Sequence, residues 1–196
     1  MRGTRPYMGN TFLEEEMSNL NFENELEDLQ IKNDFKGLLN VLKTGESQIV
    51  RNEKLGDIYI DKGFTGKKGY GLLHIIENRI KEGKNCEETT AIIYLVTQAA
   101  KNGNIIREIP LKNKRDHKGR VELEKNGIVA ILSRQRYQGD DEKLLLTGFE
   151  RNEKKEATEA IQTVIAQYDH SLEFSGFRNQ VGAVVSCLQV SPQAND

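Results

Sequence analysis

Apolar residues recur on a helical period over about residues 71–81, GLLHIIENRIK. At about 100° per residue, Leu72, Leu73, Ile75, Ile76 and Ile80 share one arc, while His74, Glu77, Asn78 and Lys81 share the opposite arc. His74 lies near the centre of that polar arc, so its imidazole is expected outside the core. Arg79 falls among the apolar residues, where a guanidinium requires a carboxylate or carbonyl partner. A second helix over about 87–101 carries TAIIYLVTQAA and is apolar on nearly all sides, which predicts burial between the first helix and a sheet. Asn102-Gly103 is its stop signal.

Beyond that stop the period changes. IIREIPL, RVELEK, GIVAILS and KLLLTGFE read as four short strands, separated by the basic turn KNKRDHKG, the tight Asn126-Gly127 turn and the loop RQRYQGDDE. Residues 153–168 form a further helix with Ala157, Ala160, Ile161, Val164 and Ile165 on one face. Upstream, residues 13–44 alternate acidic clusters with Leu26, Leu29, Ile31, Phe35, Leu38, Leu39, Val41 and Leu42, the pattern of one or two short acidic helices packed on the main body. Residues 1–12 are set aside as a loose arm, and the segment FSGFRNQVGAVVSC has no assigned role. The predicted fold is α+β: two helices followed by a four-stranded antiparallel meander, with helical extensions at both ends and the helices on one sheet face. The divisions fall at 1–50 for the acidic arm, 51–152 for the central domain and 153–196 for the last helix and tail.

Composition alters this picture mainly through charge. The chain has 196 residues, 37% hydrophobic and 30% charged, with a formal net charge of −2. Residues 1–60 balance to −4, residues 61–137 to +7 and residues 138–196 to −5. The basic excess therefore sits wholly in the middle, either as a solvated surface or as a polyanion-binding face between acidic arms. Cys86 and Cys187 lie far apart with no CxxC or Cys/His cluster, so free thiols are expected and neither a metal site nor a cofactor is predicted. No run approaches the roughly 18 apolar residues of a membrane span and no signal peptide is evident, which reads as a soluble, cytoplasmic chain with no membrane partner.

The stretch GYGLLHIIENR, followed after two helices and a meander by LLLTGFE, resembles the phage and polymorphic-toxin branch of the barnase, EndoU, colicin and RelE-like nuclease superfamily. The resemblance covers about residues 55–150 and leaves out the arms. It implies metal-independent RNA cleavage on a small α+β scaffold, with RNA, tRNA among the candidates, as substrate, a cognate immunity or antitoxin protein as partner, and a bacterial cytoplasm as the place of action. The chain lacks a Glu, Arg, His triad in the order barnase has, so roles are not carried over from there.

Transesterification of RNA needs a group that takes the 2′-OH proton, one that protonates the leaving 5′-oxygen, and cations for the charge on phosphorus. Histidine is the side-chain type suited to proton transfer near neutral pH, and His74 is the first candidate for acid or base. Glu77, one turn on, either orients it or is an ordinary helical surface residue. Lys67 and Lys68 precede a helix start, where backbone N–H groups favour phosphate. Arg134, Arg136 and Tyr137 leave the third strand together and offer a transition-state cation and a stacking surface; a basic loop is the plain alternative. Lys112, Lys114, Arg115, His117 and Lys118 make the densest positive turn, suited to phosphate contact. The resemblance assigns Thr147 a contact with phosphate or the 2′-OH, against the alternative of a packed strand threonine. The competing function is a non-catalytic RNA- or partner-binding module that keeps the nuclease fold.

Overall fold

The computed structural model describes residues 11–109, 119–133, 142–151 and 155–190. The described chain is α+β: α1 (Thr11–Thr44), β1 (Gln48–Asn52), β2 (Gly56–Ile60), α2 (Gly71–Lys81), α3 (Cys86–Asn102), β3 (Asn104–Ile109), β4 (Arg120–Lys125), β5 (Ile128–Ser133), β6 (Lys143–Glu150), α4 (Lys155–Tyr168) and α5 (Leu172–Val190). The strands form one sheet in the order β1-β2-β6-β5-β4-β3. Neighbours are antiparallel except β2 and β6, which run parallel.

The four expected strands are β3 to β6 and pair in sequence order, but the sheet is not a four-stranded antiparallel meander. A hairpin, β1-β2, precedes both helices and extends the sheet beyond β6, making it six-stranded and mixed. The parallel link joins Ile58 to Lys143 and Tyr59 to Leu144, residues far apart in the chain. No local period reports a pairing of that kind.

Helix α3 is buried nearly all round: Thr89 to Thr97, Ala99 and Ala100 lie in the interior. Its contacts reach β1, β2, β4, β5 and β6, and on its other sides α1, α2, α4 and α5. In a flat sheet β1 and β4 would stand four spacings, roughly 19 Å, apart. The C-terminal end of α3 reaches both, Lys101 accepting from Asn52 of β1 and Gly103, two residues on, lying against the Glu124 carbonyl of β4, so the sheet curls around the helix. Asn52, at the end of β1, fastens the curl, since its buried Nδ2 donates to the Ala100 and Lys101 carbonyls at 3.0 and 3.1 Å. Those oxygens belong to the last turn of α3, where no intrahelical donor remains. At the other end Asn85 and Glu88 form a reciprocal capping box.

Helices from both ends of the described chain meet at Phe35. Helix α1 is one helix of 34 residues rather than one or two short ones. Phe35, Leu38, Val41 and Leu42 are buried, whereas Leu26 and Leu29 are exposed. The Phe35 ring packs on Tyr94 of α3 (centroids 4.7 Å apart), Tyr168 of α4 (5.9 Å) and Phe174 of α5 (5.3 Å, edge-on). Asp34 beside it is buried, its carboxylate accepting from Gln30 at 3.0 Å and from Gln98 of α3 at 2.7 Å. Burial, then the Asp28 and Glu27 charges, push the Tyr168 phenol up to about 12.

The LLLTGFE strand is shaped by α3. A bulge between the pairs Ile131–Thr147 and Leu132–Leu145 inserts Leu146, so Leu145 and Gly148 both face the helices although three residues apart. A Cβ on Gly148 would stand 2.4 Å from both methyls of Val96 and 2.9 Å from the Val129 carbonyl. Gly148→Ala is therefore expected to destabilise the protein by about 1–3 kcal/mol through overpacking. The Gly148→Ala, Val96→Ala double variant should be more stable than the sum of the two single changes. Urea unfolding of the four proteins reads this directly; strict additivity would show that the two positions do not press on each other.

Candidate functional site

Residues 61–70 connect β2 to α2 and explain the glycines ahead of that helix. Phe64 and Tyr70 form an antiparallel bridge, each N–H donating to the other's carbonyl at 3.1 Å, and their rings meet edge-on with centroids 4.9 Å apart. Inside this small hairpin the Gly69 N–H donates to the Gly66 carbonyl at 2.9 Å. Gly63 has φ +65°, and a Cβ there would lie 1.8 Å from the Tyr70 carbonyl, so only glycine lets the two legs of the loop meet. The Leu72 and Leu73 N–H groups donate back to the Asp61 and Lys62 carbonyls at 3.1 and 2.9 Å. Two of the α2 first-turn donors expected to favour phosphate are thus already used within the chain.

The loop folds over the polar face of α2. Glu77 Oε2 accepts from the Gly66 N–H at 2.7 Å, and Oε1 accepts from Lys81 Nζ at 2.8 Å. Burial raises the Glu77 pKa, but the Gly66 N–H, the Lys81 ammonium and His74 outweigh it and hold the carboxyl below its ordinary value. Asn78 Nδ2 lies 3.1 Å from His74 Nε2. An amide NH₂ only donates, so Nε2 accepts and a neutral ring carries its proton on Nδ1. That nitrogen is buried, has no hydrogen-bond partner among the described residues, and lies 3.9 Å from Glu77 Oε2. Glu77 therefore faces the side of the ring that bears the proton.

The helical wheel places His74 correctly outside the apolar cluster. The side chain is nonetheless only 19% exposed, because the loop covers it. A Cβ on Gly69 would stand 2.6 Å from Nδ1, a close approach that requires glycine there. Azimuth on a helix cannot report a loop that returns over it. Arg79 is buried as its position demands and finds its carboxylate in Glu82 at 2.8 Å.

Lys67 and Lys68 are exposed at the loop tip and make no ion pair among the described residues. Thr147 is half-buried on the sheet face turned away from Gly148 and α3, paired with Ile131. Its strand adjoins α2, but no hydrogen bond joins it to His74 among the described residues. Lys112, Lys114, Arg115, His117, Lys118, Arg134, Arg136 and Tyr137 lie outside the described residues. Cys86 and Cys187 are not disulfide-bonded. Among the described residues no group of three or more His, Cys, Asp or Glu side chains is placed to hold a metal ion.

Two participants escape sequence reasoning. The Gly66 N–H that holds Glu77 carries no side-chain signal at all. Phe64 is 50% exposed although its backbone is fixed, and an aromatic between two glycines is the one cue that could have marked it.

The sign of the Glu77 effect follows from its lowered pKa. A carboxylate held below its unfolded value stabilises the fold above that value, and the contribution is lost as pH falls through the folded pKa. Glu77→Gln should therefore be less stable than the parent at pH 7, on the order of 1 kcal/mol for weakening charge-assisted bonds. The gap should close below the ordinary glutamate value of 4.5. Urea midpoints at pH 7 and pH 3 measure it, and a gap independent of pH would assign Glu77 a packing role only.

No protein-family model, curated protein or solved structure matches the chain, so the reading of this site rests on its own geometry and on the sequence resemblance.

Proposed function

We propose that the chain is an endoribonuclease of the barnase, EndoU, colicin and RelE-like superfamily, cleaving RNA by 2′-OH attack on the adjacent phosphate. The observation that carries this reading is the His74–Glu77 pair beneath a loop whose tip presents Lys67 and Lys68. His74 Nε2 takes the 2′-OH proton, a role for which a substrate hydroxyl replaces the Asn78 amide as donor. The imidazolium so formed faces the Glu77 carboxylate across 3.9 Å. The 2′-oxygen bonds to phosphorus, the bond to the 5′-oxygen breaks, and that oxygen takes a proton from water, whose hydroxide recovers one from the imidazolium. The products are a 2′,3′-cyclic phosphate and a 5′-hydroxyl.

Lys67 and Lys68 supply charge to the phosphates, and the resemblance adds Thr147 at phosphate or the 2′-OH. Arg134 and Tyr137 complete the proposed catalytic set, with Lys112, Lys114, Arg115 and Arg136 along the RNA. Metal independence, tRNA as a substrate, an immunity partner and action in a bacterial cytoplasm come from the same resemblance.

The 19% exposure of His74 and its bond to Asn78 favour one competing reading, a module that binds RNA without cleaving it. Incubating the purified chain with total tRNA in EDTA separates the two. The nuclease reading expects fragments with 2′,3′-cyclic ends and a loss of at least about 10²-fold in His74→Ala. Because the imidazole is packed under the loop, the same substitution should cost about 1 kcal/mol, more than an exposed histidine would. Tight binding with intact RNA would select the binding module, and neither binding nor cleavage would remove both.

A further inference from the structure

We infer that the groove between the 61–70 loop and α5 is a nucleobase subsite in which Phe64 stacks on an unpaired base of the RNA strand. The inference rests on the nuclease reading for the nature of the ligand. The groove measures about 370 Å³ and is lined by Lys62, Phe64, Thr65 and Leu73 on one side and by Val184 and Cys187 of α5 among others on the opposite side. That volume is within the range of clefts that take small planar groups. One wall carries an aromatic ring, the other is aliphatic apart from Gln180 and Cys187, and no carboxylate among the described residues lines it.

Phe64 is not serving the core. Half of its surface is exposed, yet its backbone is pinned by two hydrogen bonds to Tyr70 and its ring is braced edge-on by the Tyr70 ring. An exposed ring held rigid in advance loses little conformational freedom on binding, the condition under which a single stacking contact contributes most. Stacking on an aromatic face is indifferent to base identity, whereas phosphate contact is indifferent to the base altogether.

The surrounding charges select a nucleic acid over an apolar peptide. Lys62 lines the groove, Lys67 and Lys68 stand exposed on the same loop, and none of the three is ion-paired among the described residues. Leu73, on the groove wall, directly precedes His74, so the groove and the proposed catalytic residue share the first turn of α2.

The test uses a 2′-O-methyl RNA oligomer, which the enzyme cannot cleave, and a matched oligomer of abasic residues with the same phosphates. Fluorescence anisotropy should show Phe64→Ala binding the base-bearing oligomer about tenfold more weakly, the effect of losing one base–aromatic stack. Phe64→Tyr should restore affinity, and the abasic oligomer should bind parent and Phe64→Ala alike. In the unsubstituted protein the base-bearing oligomer should slow alkylation of Cys187, read by mass spectrometry, and leave that of Cys86 unchanged.

Equal affinity of parent and Phe64→Ala for the base-bearing oligomer overturns the subsite. So does unslowed alkylation of Cys187, or Cys187 shielding that grows with protein concentration in the absence of RNA, which would make a second copy the occupant. Because the oligomer is never cut, intact tRNA with a Phe64-dependent stack removes only the nuclease reading. Cleavage with no dependence on Phe64 removes only the subsite.

Discussion

Burial of α3 on all sides is the constraint from which the rest of the architecture follows. A helix with Ile92, Ile93, Val96, Ala99 and Ala100 all at zero exposure needs partners around its whole circumference. Strands provide them on one side only by curling, and α1, α2, α4 and α5 close the other. Two of its buried threonines, Thr90 and Thr97, return their hydroxyls to the Cys86 and Ile93 carbonyls four residues back, at 2.7 and 3.0 Å, whereas Thr89 Oγ1 has no hydrogen-bond partner among the described residues. The glycine of LLLTGFE and the asparagine ending β1 are further consequences of this packing, the first making room for Val96 and the second satisfying the last turn.

The same constraint positions the candidate site. Because α3 occupies the hollow of the sheet, α2 is held against both α3 and β6, with Leu72, Ile75 and Ile76 turned inward. Its polar face then points away from the core and is free for the loop to cover. The loop is rigid through its own backbone: a two-bond bridge, an inner turn, and the Gly66 N–H held by Glu77. Glu77 thus joins loop order to the environment of His74, since one carboxylate anchors the first and faces the second.

What the sequence discloses divides along the range of the interactions involved. Helices α2, α3 and α4 and strands β4 to β6 each bury residues in a pattern that is visible locally, and β3 is marked by its isoleucines although none of its residues is fully buried. Strand β1, QIVRN, buries Val50 and the polar Asn52 while exposing Ile49, so its apolar residues do not mark its buried face, and its hairpin joins the sheet through a parallel contact with residues far along the chain. Helix α5 did carry a signal, since Phe174, Phe177, Val181 and Val185 form a buried helical stripe, but the Gly and Ser residues between them obscure it. At the site, the wheel gives the direction of His74 and the need of Arg79 for a carboxylate. It gives neither the loop above His74 nor the rigid exposure of Phe64, because both depend on backbone hydrogen bonds that any residue type can make.

Charge follows the same logic, and it shows why the +7 balance of residues 61–137 is a poor measure of affinity for a polyanion. Several of those cations are already matched: Arg79 with Glu82, Lys81 with Glu77, Lys84 with Glu150 at 2.6 Å and Arg107 with Glu122 at 3.8 Å. A phosphate approaching such a pair must compete with a carboxylate held by the fold, whereas beside an unpaired lysine it displaces only mobile counterions, whose release drives association. Lys62, Lys67 and Lys68 are in the second condition among the described residues, and they surround the loop that covers His74. On the proposed nuclease reading, the attraction for a phosphate backbone is set by where the protein leaves its cations unmatched, and in the described structure that includes the loop that covers an imidazole and its carboxylate and carries an exposed aromatic ring.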